Sequence, residues 1–239
     1  MKYFYISGTS RGIGKAIAEE LLKDKGNYVI GISRSKSIKH ANYEHITLDL
    51  TDVNSVQNFQ FIKIIDAEFI ALVNNAATLG EVKHIGKRDN RSILSEYTIN
   101  LISPSFLMNN FIKSYSDFSG EKIILNISSG AGRHAIESWS TYCASKAALD
   151  MFSEVVKTEQ NLNKENPVKV FSVAPGIVDT QMQTEIRQID KSDFTDVGRF
   201  ISYKENNILS QPQQVAVQIK NILYNPDNYN EVVLDVMEM

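Results

Sequence analysis

Tyr142 and Lys146 stand four residues apart in the stretch Tyr142-Cys143-Ala144-Ser145-Lys146. On a helix that spacing puts the phenol and the ammonium on one face. A free tyrosine titrates near pH 10. A neighbouring cation favours the phenolate and is expected to lower that value. A phenol tuned in this way can pass a proton to or from a carbonyl/alcohol pair near neutral pH. Taken alone, Tyr-x-x-x-Lys is a common helical pattern and carries little weight.

A second group with chemistry in it is Ser7-Gly8-Thr9-Ser10-Arg11-Gly12-Ile13-Gly14. Glycines there permit a tight turn and a close approach of backbone to phosphate. A helix starting at that point offers free N–H groups and a positive dipole to a pyrophosphate. The spacing is Gly-x-x-x-Gly-x-Gly. Its place directly behind an apolar stretch favours phosphate binding over an ordinary glycine-rich turn. Gly8, Ser10, Arg11, Gly12, Ile13 and Gly14 are therefore candidate cofactor contacts.

The residues after the second strand select the cofactor. An acid there would accept from the ribose hydroxyls of NAD, whereas a 2′-phosphate calls for a cation. The sequence reads Gly31-Ile32-Ser33-Arg34-Ser35-Lys36, with no acid. Arg34 and Arg11 can both reach such a phosphate, and a charge-assisted hydrogen bond contributes about 1.5–3 kcal/mol. The reading is NADP(H). The alternative is that both arginines are solvated surface charges.

These groups need a scaffold. Short apolar strands are expected at Tyr3–Ile6, Tyr28–Ile32, Ile46–Leu48, Phe69–Val73, Lys122–Ile127, Val168–Val173 and Glu231–Val236. Helices are expected over Gly12–Lys25, Val53–Ile64, Ile93–Ser116, Ser140–Asn161 and Gln213–Tyr224. Strands that are apolar throughout and alternate with amphipathic helices indicate a parallel sheet covered on both faces. The expected fold class is α/β: a single-domain, Rossmann-type doubly wound parallel sheet with helices on both faces, spanning residues 1–239. Residues 178–210 are polar and weakly periodic, and a segment of that length suggests a lid over the substrate.

Composition narrows the function. The 239 residues are 43% hydrophobic and 22% charged, with a formal net charge of -3, which argues against disorder and against nucleic-acid or polybasic membrane partners. Cys143 is the single cysteine, so an intramolecular disulfide and a Cys-pair zinc site are excluded. No metal site is expected. No apolar run approaches the ~20 residues that span a bilayer, and the first residues run straight into the glycine loop without room for a secretory leader. A cytoplasmic protein is expected.

In order and spacing, several further residues join these groups. They are Asp49-Leu50, Asn74-Asn75-Ala76, Asn100, Ser129, and Pro175-Gly176-Ile177 with Thr180. With them the chain resembles the short-chain dehydrogenase/reductase family over essentially its whole length. The resemblance implies a role for each. Asp49 would accept from the adenine amino group, with Leu50 at the ring. Asn74 would support the sheet end beside the cofactor, and Ala76 is a candidate cofactor contact. Ser129, thirteen residues before Tyr142 and preferred over Ser128 for that spacing, would polarise the substrate carbonyl. Tyr142 would donate the proton. Lys146 would bind the nicotinamide ribose and lower the tyrosine pKa. Asn100 would support a proton-resupplying water chain. Pro175, Gly176 and Ile177 would contact the nicotinamide, and Thr180 its carboxamide. Ala77 departs from the common glycine of the Asn-Asn-Ala-Gly pattern, and Ser7 from the common threonine.

The segments 142–148 and 174–183 are similar to sepiapterin reductases and to bacterial benzil reductases that form (S)-benzoin. Asn126–Gly132 and the region 199–205 look like the latter. That resemblance implies NADPH-dependent reduction of one carbonyl of a vicinal dicarbonyl. Trp139 and Met182 are candidate substrate walls. Asp235 matches a pterin-anchoring carboxylate by position, or else simply ends an exposed strand. Cys143 is expected to pack, facing away from Tyr142. A homodimer is expected, with the helices around 93–116 and 140–161 at its face. Competing readings are an NADP(H)-binding sensor without turnover, a reductase of other ketones or aldehydes, and an NAD-dependent alcohol oxidase.

Overall fold

The computed structural model describes residues 1–64, 67–162 and 165–236. Seven strands form one parallel sheet: β1 (Lys2–Ser7), β2 (Asn27–Ser33), β3 (Tyr43–Thr47), β4 (Phe69–Asn74), β5 (Glu121–Ile127), β6 (Lys169–Ala174) and β7 (Val233–Asp235). Their order across the sheet is β3-β2-β1-β4-β5-β6-β7. The chain winds outward from β1 in one direction and then from β4 in the other, and this reversal opens a crevice at the carboxyl ends of β1 and β4. The central strands are apolar on both faces because both are covered. One layer of core joins Phe4, Ile6, Ile17 and Leu21 to Ile219 and Leu223. The other joins Tyr5, Ile30, Leu72 and Ile124 to Leu107, Phe111 and Leu149.

The helices are α1 (Gly12–Leu21), α2 (Val53–Gln57), α3 (Asn90–Tyr97), α4 (Ser103–Ser114), α5 (Ser140–Gln160), α6 (Gln181–Ile186), α7 (Val197–Glu205) and α8 (Pro212–Tyr224). Six of these depart from the sequence expectation for identifiable reasons. The first helix stops at Leu21 rather than Lys25, where a turn through Gly26 leads into β2. The second stops at Gln57 rather than Ile64. The Asn110 amide takes the carbonyls of Gln57 and Phe59 at 3.2 and 3.1 Å, and Phe61 turns edge-on into Tyr5 and Phe111. The expected single helix over 93–116 is α3 and α4 joined by a π-helical turn, Thr98–Ile102, which contains Asn100. Residues 178–210 are not an irregular loop. They carry α6 and α7, whose Ile186, Val197 and Phe200 are buried with Phe194. β3 lies earlier than expected because Tyr43 pairs with Val29 and Thr47 with Ser33.

Among the described residues no helix is long and apolar enough to cross a membrane.

Candidate active site

The glycine loop joins β1 to α1. Gly8 and Gly12 have φ of +77° and +58°, a conformation that side chains disfavour. Gly14 is required for a different reason: a Cβ there would lie 2.2 Å from Asn75 Nδ2 and 2.5 Å from the Gly8 carbonyl oxygen. Asn75 Nδ2 donates to the Ser7 carbonyl at 2.9 Å. The Ser7 hydroxyl accepts from the backbone N–H groups of Asn75 and Ala76 at 3.0 and 3.1 Å. The start of α1 has no side-chain cap, so its first-turn N–H groups are open to an anion. A Cβ-free cradle ending in an uncapped helix fits the phosphates of a dinucleotide.

Arg11 is exposed and donates to Gln181 Oε1 at the start of α6. Arg34 is exposed at the end of β2. Thr180 precedes α6, and its Cγ2 would be 3.6 Å from a Cβ on Gly12, so the segment after β6 lies over the loop. Gly176, with φ of +75°, turns the chain out of β6 behind the buried Pro175. The Ile177 carbonyl accepts from Ser210. A cleft of about 580 Å³ is lined by Arg11, Gly12, Lys15, Thr180, Gln181 and Arg187, among others. It belongs to the glycine loop and the α6 side rather than to Tyr142. Asp49 is exposed, and its Oδ1 accepts from Thr51. Leu50 is buried, and its carbonyl accepts from Ser103.

Two asparagines that are neighbours in sequence have separate roles. Asn74, a candidate for the cofactor edge, is buried, and its Nδ2 donates to Asn126 Oδ1 at 2.9 Å. Asn126 in turn donates to Ser153 at 2.8 Å. Asn75, to which the sequence assigns no separate role, touches the glycine loop. Sequence reasoning could have found it from the need to hold that loop's carbonyls.

Tyr142 sits in the first turn of α5 and Lys146 one turn later. Both are buried. Lys146 Nζ donates to the Ile127 carbonyl at the end of β5 at 2.7 Å and lies 5.7 Å from the Tyr142 ring centroid. Burial pushes the Tyr142 phenol up to about 12, against the opposing pull of a hydrogen bond from Ser129. Burial also pulls the Lys146 ammonium down to about 8, with Asp150 opposing it. The lowering expected from the lysine is not what the structure shows: desolvation raises the phenol and outweighs the pull of the Ser129 hydrogen bond. Asp150 was not anticipated. Its Oδ1 accepts from Ser172 at 2.6 Å, and it continues the Tyr142–Lys146 face at the same four-residue spacing.

Ser129 caps a short 3-10 turn, Gly130–Gly132, and its Oγ also accepts from Ala131 N–H at 3.2 Å. Ser128 is buried, and its hydroxyl has no partner among the described residues. Asn100 Nδ2 donates to the Thr78 carbonyl at 2.8 Å and to Ser145 Oγ at 3.3 Å, while its Oδ1 accepts from Thr78 N–H at 2.9 Å. The π turn thus ties the β4 exit to α5. Trp139 stands edge-on to Tyr142 at 5.7 Å and packs with Phe194 and Phe200. Met182 and Cys143 lie against the same cluster. Asp235 ends β7 and accepts from Arg133 Nη2 at 3.1 Å. Among the described residues, no group of three or more His, Cys, Asp or Glu side chains could hold a metal ion.

A doubly wound parallel sheet with a glycine cradle, and a serine, tyrosine and lysine gathered at its carboxyl edge, defines a nicotinamide-dependent oxidoreductase. The chain belongs to the short chain dehydrogenase family, whose model matches residues 2–191. It is similar to a Bacillus cereus benzil reductase that forms (S)-benzoin, at 39% identity over 236 residues, covering 93% of this chain and 94% of that one. Mouse sepiapterin reductase is 30% identical, covering 78% of each chain. A solved short chain dehydrogenase/reductase from Saccharomyces cerevisiae superposes with a TM-score of 0.86 at 28% identity, covering 98% of this chain and 96% of that one. The protein is accordingly an oxidoreductase acting on carbonyl or hydroxyl groups.

Proposed function

We propose that the protein reduces one carbonyl of a vicinal dicarbonyl, benzil-like or a pterin side-chain diketone, using NADPH. The observation that carries this reading is the buried Tyr142 phenol, acted on by Ser129 and backed by Lys146. A protein that merely sensed the cofactor would have no need of a sequestered proton donor.

A phenol is protonated at neutral pH, the starting state a donor needs, and burial moves the Tyr142 pKa further up. When bound, the reduced nicotinamide supplies the hydride. Ser129 Oγ polarises the carbonyl oxygen, and Tyr142 Oη gives it a proton as negative charge builds there. Both act more strongly in the transition state than in the ground state. Lys146 would hold the nicotinamide ribose. Pro175, Gly176, Ile177 and Thr180 would border the nicotinamide, and Asn100 holds the β4 exit beside α5. Arg34 and Arg11, with no acid between Gly31 and Lys36, support NADPH over NADH. Trp139, Phe194, Phe200 and Met182 offer an aromatic and apolar wall suited to aryl or pterin rings. The 178–210 segment, with its two helices, is the lid.

Ala144, Ala147, Met151 and Val155 form an exposed stripe along α5. Met151 is 59% exposed and Val155 49%, and this stripe supports a homodimer through α5. A single free cysteine suits the cytoplasm.

The test mixes protein, NADPH and benzil, and separately NADPH and a pterin diketone, and follows the reduced-nicotinamide absorbance. Turnover is expected, and Tyr142→Phe should lose about 10²–10⁴ in rate. Tight NADPH binding without turnover of either diketone would favour a sensor or scaffold instead.

A further inference from the structure

We propose that Arg88, held by Glu96, is a positioning residue for the helix that carries Tyr142. Their side chains are 1% and 2% exposed, and the chemistry above makes no use of either. Arg88 Nη2 donates to Glu96 Oε1. Its Nη1 donates to Thr141 Oγ1 at 2.6 Å and to Ser140 Oγ at 3.3 Å. Ser140 and Thr141 open α5, and Tyr142 follows directly. The guanidinium therefore sets where the catalytic helix begins.

Glu96 gathers the other side. Its Oε1 also accepts from Glu81 N–H at 3.0 Å and Ser92 Oγ at 2.9 Å. It lies on α3, one turn before Asn100, which holds Thr78 at the head of the same loop. Gly80 has φ of +69°, and a Cβ there would fall 2.0 Å from Glu96 Cδ, so the loop is built around this carboxylate. Leu79 and Val82 of that loop are buried in one cluster with Trp139 and Tyr142. One ion pair thus fastens the β4–α3 loop, α3 and the start of α5 around the proton donor.

Stability is a poor explanation for the pair. A buried ion pair often gains nothing over apolar residues of like volume, and here Arg88 Nε and Glu96 Oε2 are buried without a partner among the described residues. What the charged pair adds over apolar packing is direction: two donors aimed at two hydroxyls of one helix turn.

Two variants separate positioning from folding. Arg88→Met combined with Glu96→Leu removes both charges together. Thr141→Val leaves the pair intact and removes its main anchor on α5. Trp139, the single tryptophan of the chain, immediately precedes α5 and reports the position of that end by its fluorescence. Both variants are expected to unfold cooperatively and to bind NADPH as the wild type does. The double variant should lose about 10- to 100-fold in kcat, and Thr141→Val should lose less. In both, Trp139 emission should shift red and become more accessible to iodide. Wild-type kcat with shielded emission in either variant would overturn the proposal. If the double variant does not fold, Thr141→Val decides alone. The kcat arm rests on the proposed reductase activity. Failure of the wild type to reduce any dicarbonyl would sink that reading, and the Trp139 emission would still decide this one.

Discussion

Removing the Lys146 ammonium should change stability in a pH-dependent way that identifies its burial. The lysine is buried and pulled down to about 8, with desolvation the largest cause. In the unfolded chain it titrates near 10.4. Between those values the unfolded state binds more protons than the folded one, so folding stability rises with pH through this window. The full change corresponds to about 3 kcal/mol. In Lys146→Met this contribution is absent. The wild type, measured against the variant, should therefore gain about 3 kcal/mol between pH 7 and pH 10.5. Urea denaturation of both proteins across that range measures the difference directly, and groups common to both cancel. Turnover in the free enzyme should move the other way, because the ammonium proposed to hold the ribose is lost above pH 8. A stability difference that stays flat from pH 8 to pH 10 would refute the burial argument.

Gly14→Ala should lower the melting temperature by about 5–10 °C and weaken NADPH binding, because the new Cβ meets the Gly8 carbonyl and the pinned Asn75 amide. Calorimetry and a fluorescence titration would check both effects. Arg34→Asp should move preference from NADPH toward NADH by about 10- to 100-fold, read from kcat/KM with each cofactor. Unchanged preference would mean that Arg34 does not read the phosphate. Met151→Glu places a charge in the exposed α5 stripe and should give a smaller species by light scattering without altering the far-UV spectrum.

The seven strands were legible because a parallel sheet covered on both faces demands continuous apolar runs, and such runs stand out between turn residues. The glycine loop was legible because backbone conformation restricts residue type locally. The helix ends were less so. Nothing between Val53 and Ile64 shows that an amide on a distant helix, Asn110, takes the carbonyls that would have continued α2. The π turn at Asn100 is similarly hidden, since periodicity runs through it as one helix. Ile186, Phe194 and Phe200 looked like scattered apolar residues in a polar segment. They become a wall only when Trp139 is set against them.

The sequence by itself determined the succession of the seven strands, the loop that must be glycine, and the Tyr142–Lys146 spacing on one helix face. All of these depend on residues near one another in the chain. The tertiary structure alone decided which of Asn74 and Asn75 meets the glycine loop, and where Arg88 and Glu96 close on α5. It also decided that burial raises the Tyr142 pKa instead of a cation lowering it. The physical reason is that desolvation and buried pairing depend on everything packed around a group, and most of that packing comes from residues far away in sequence.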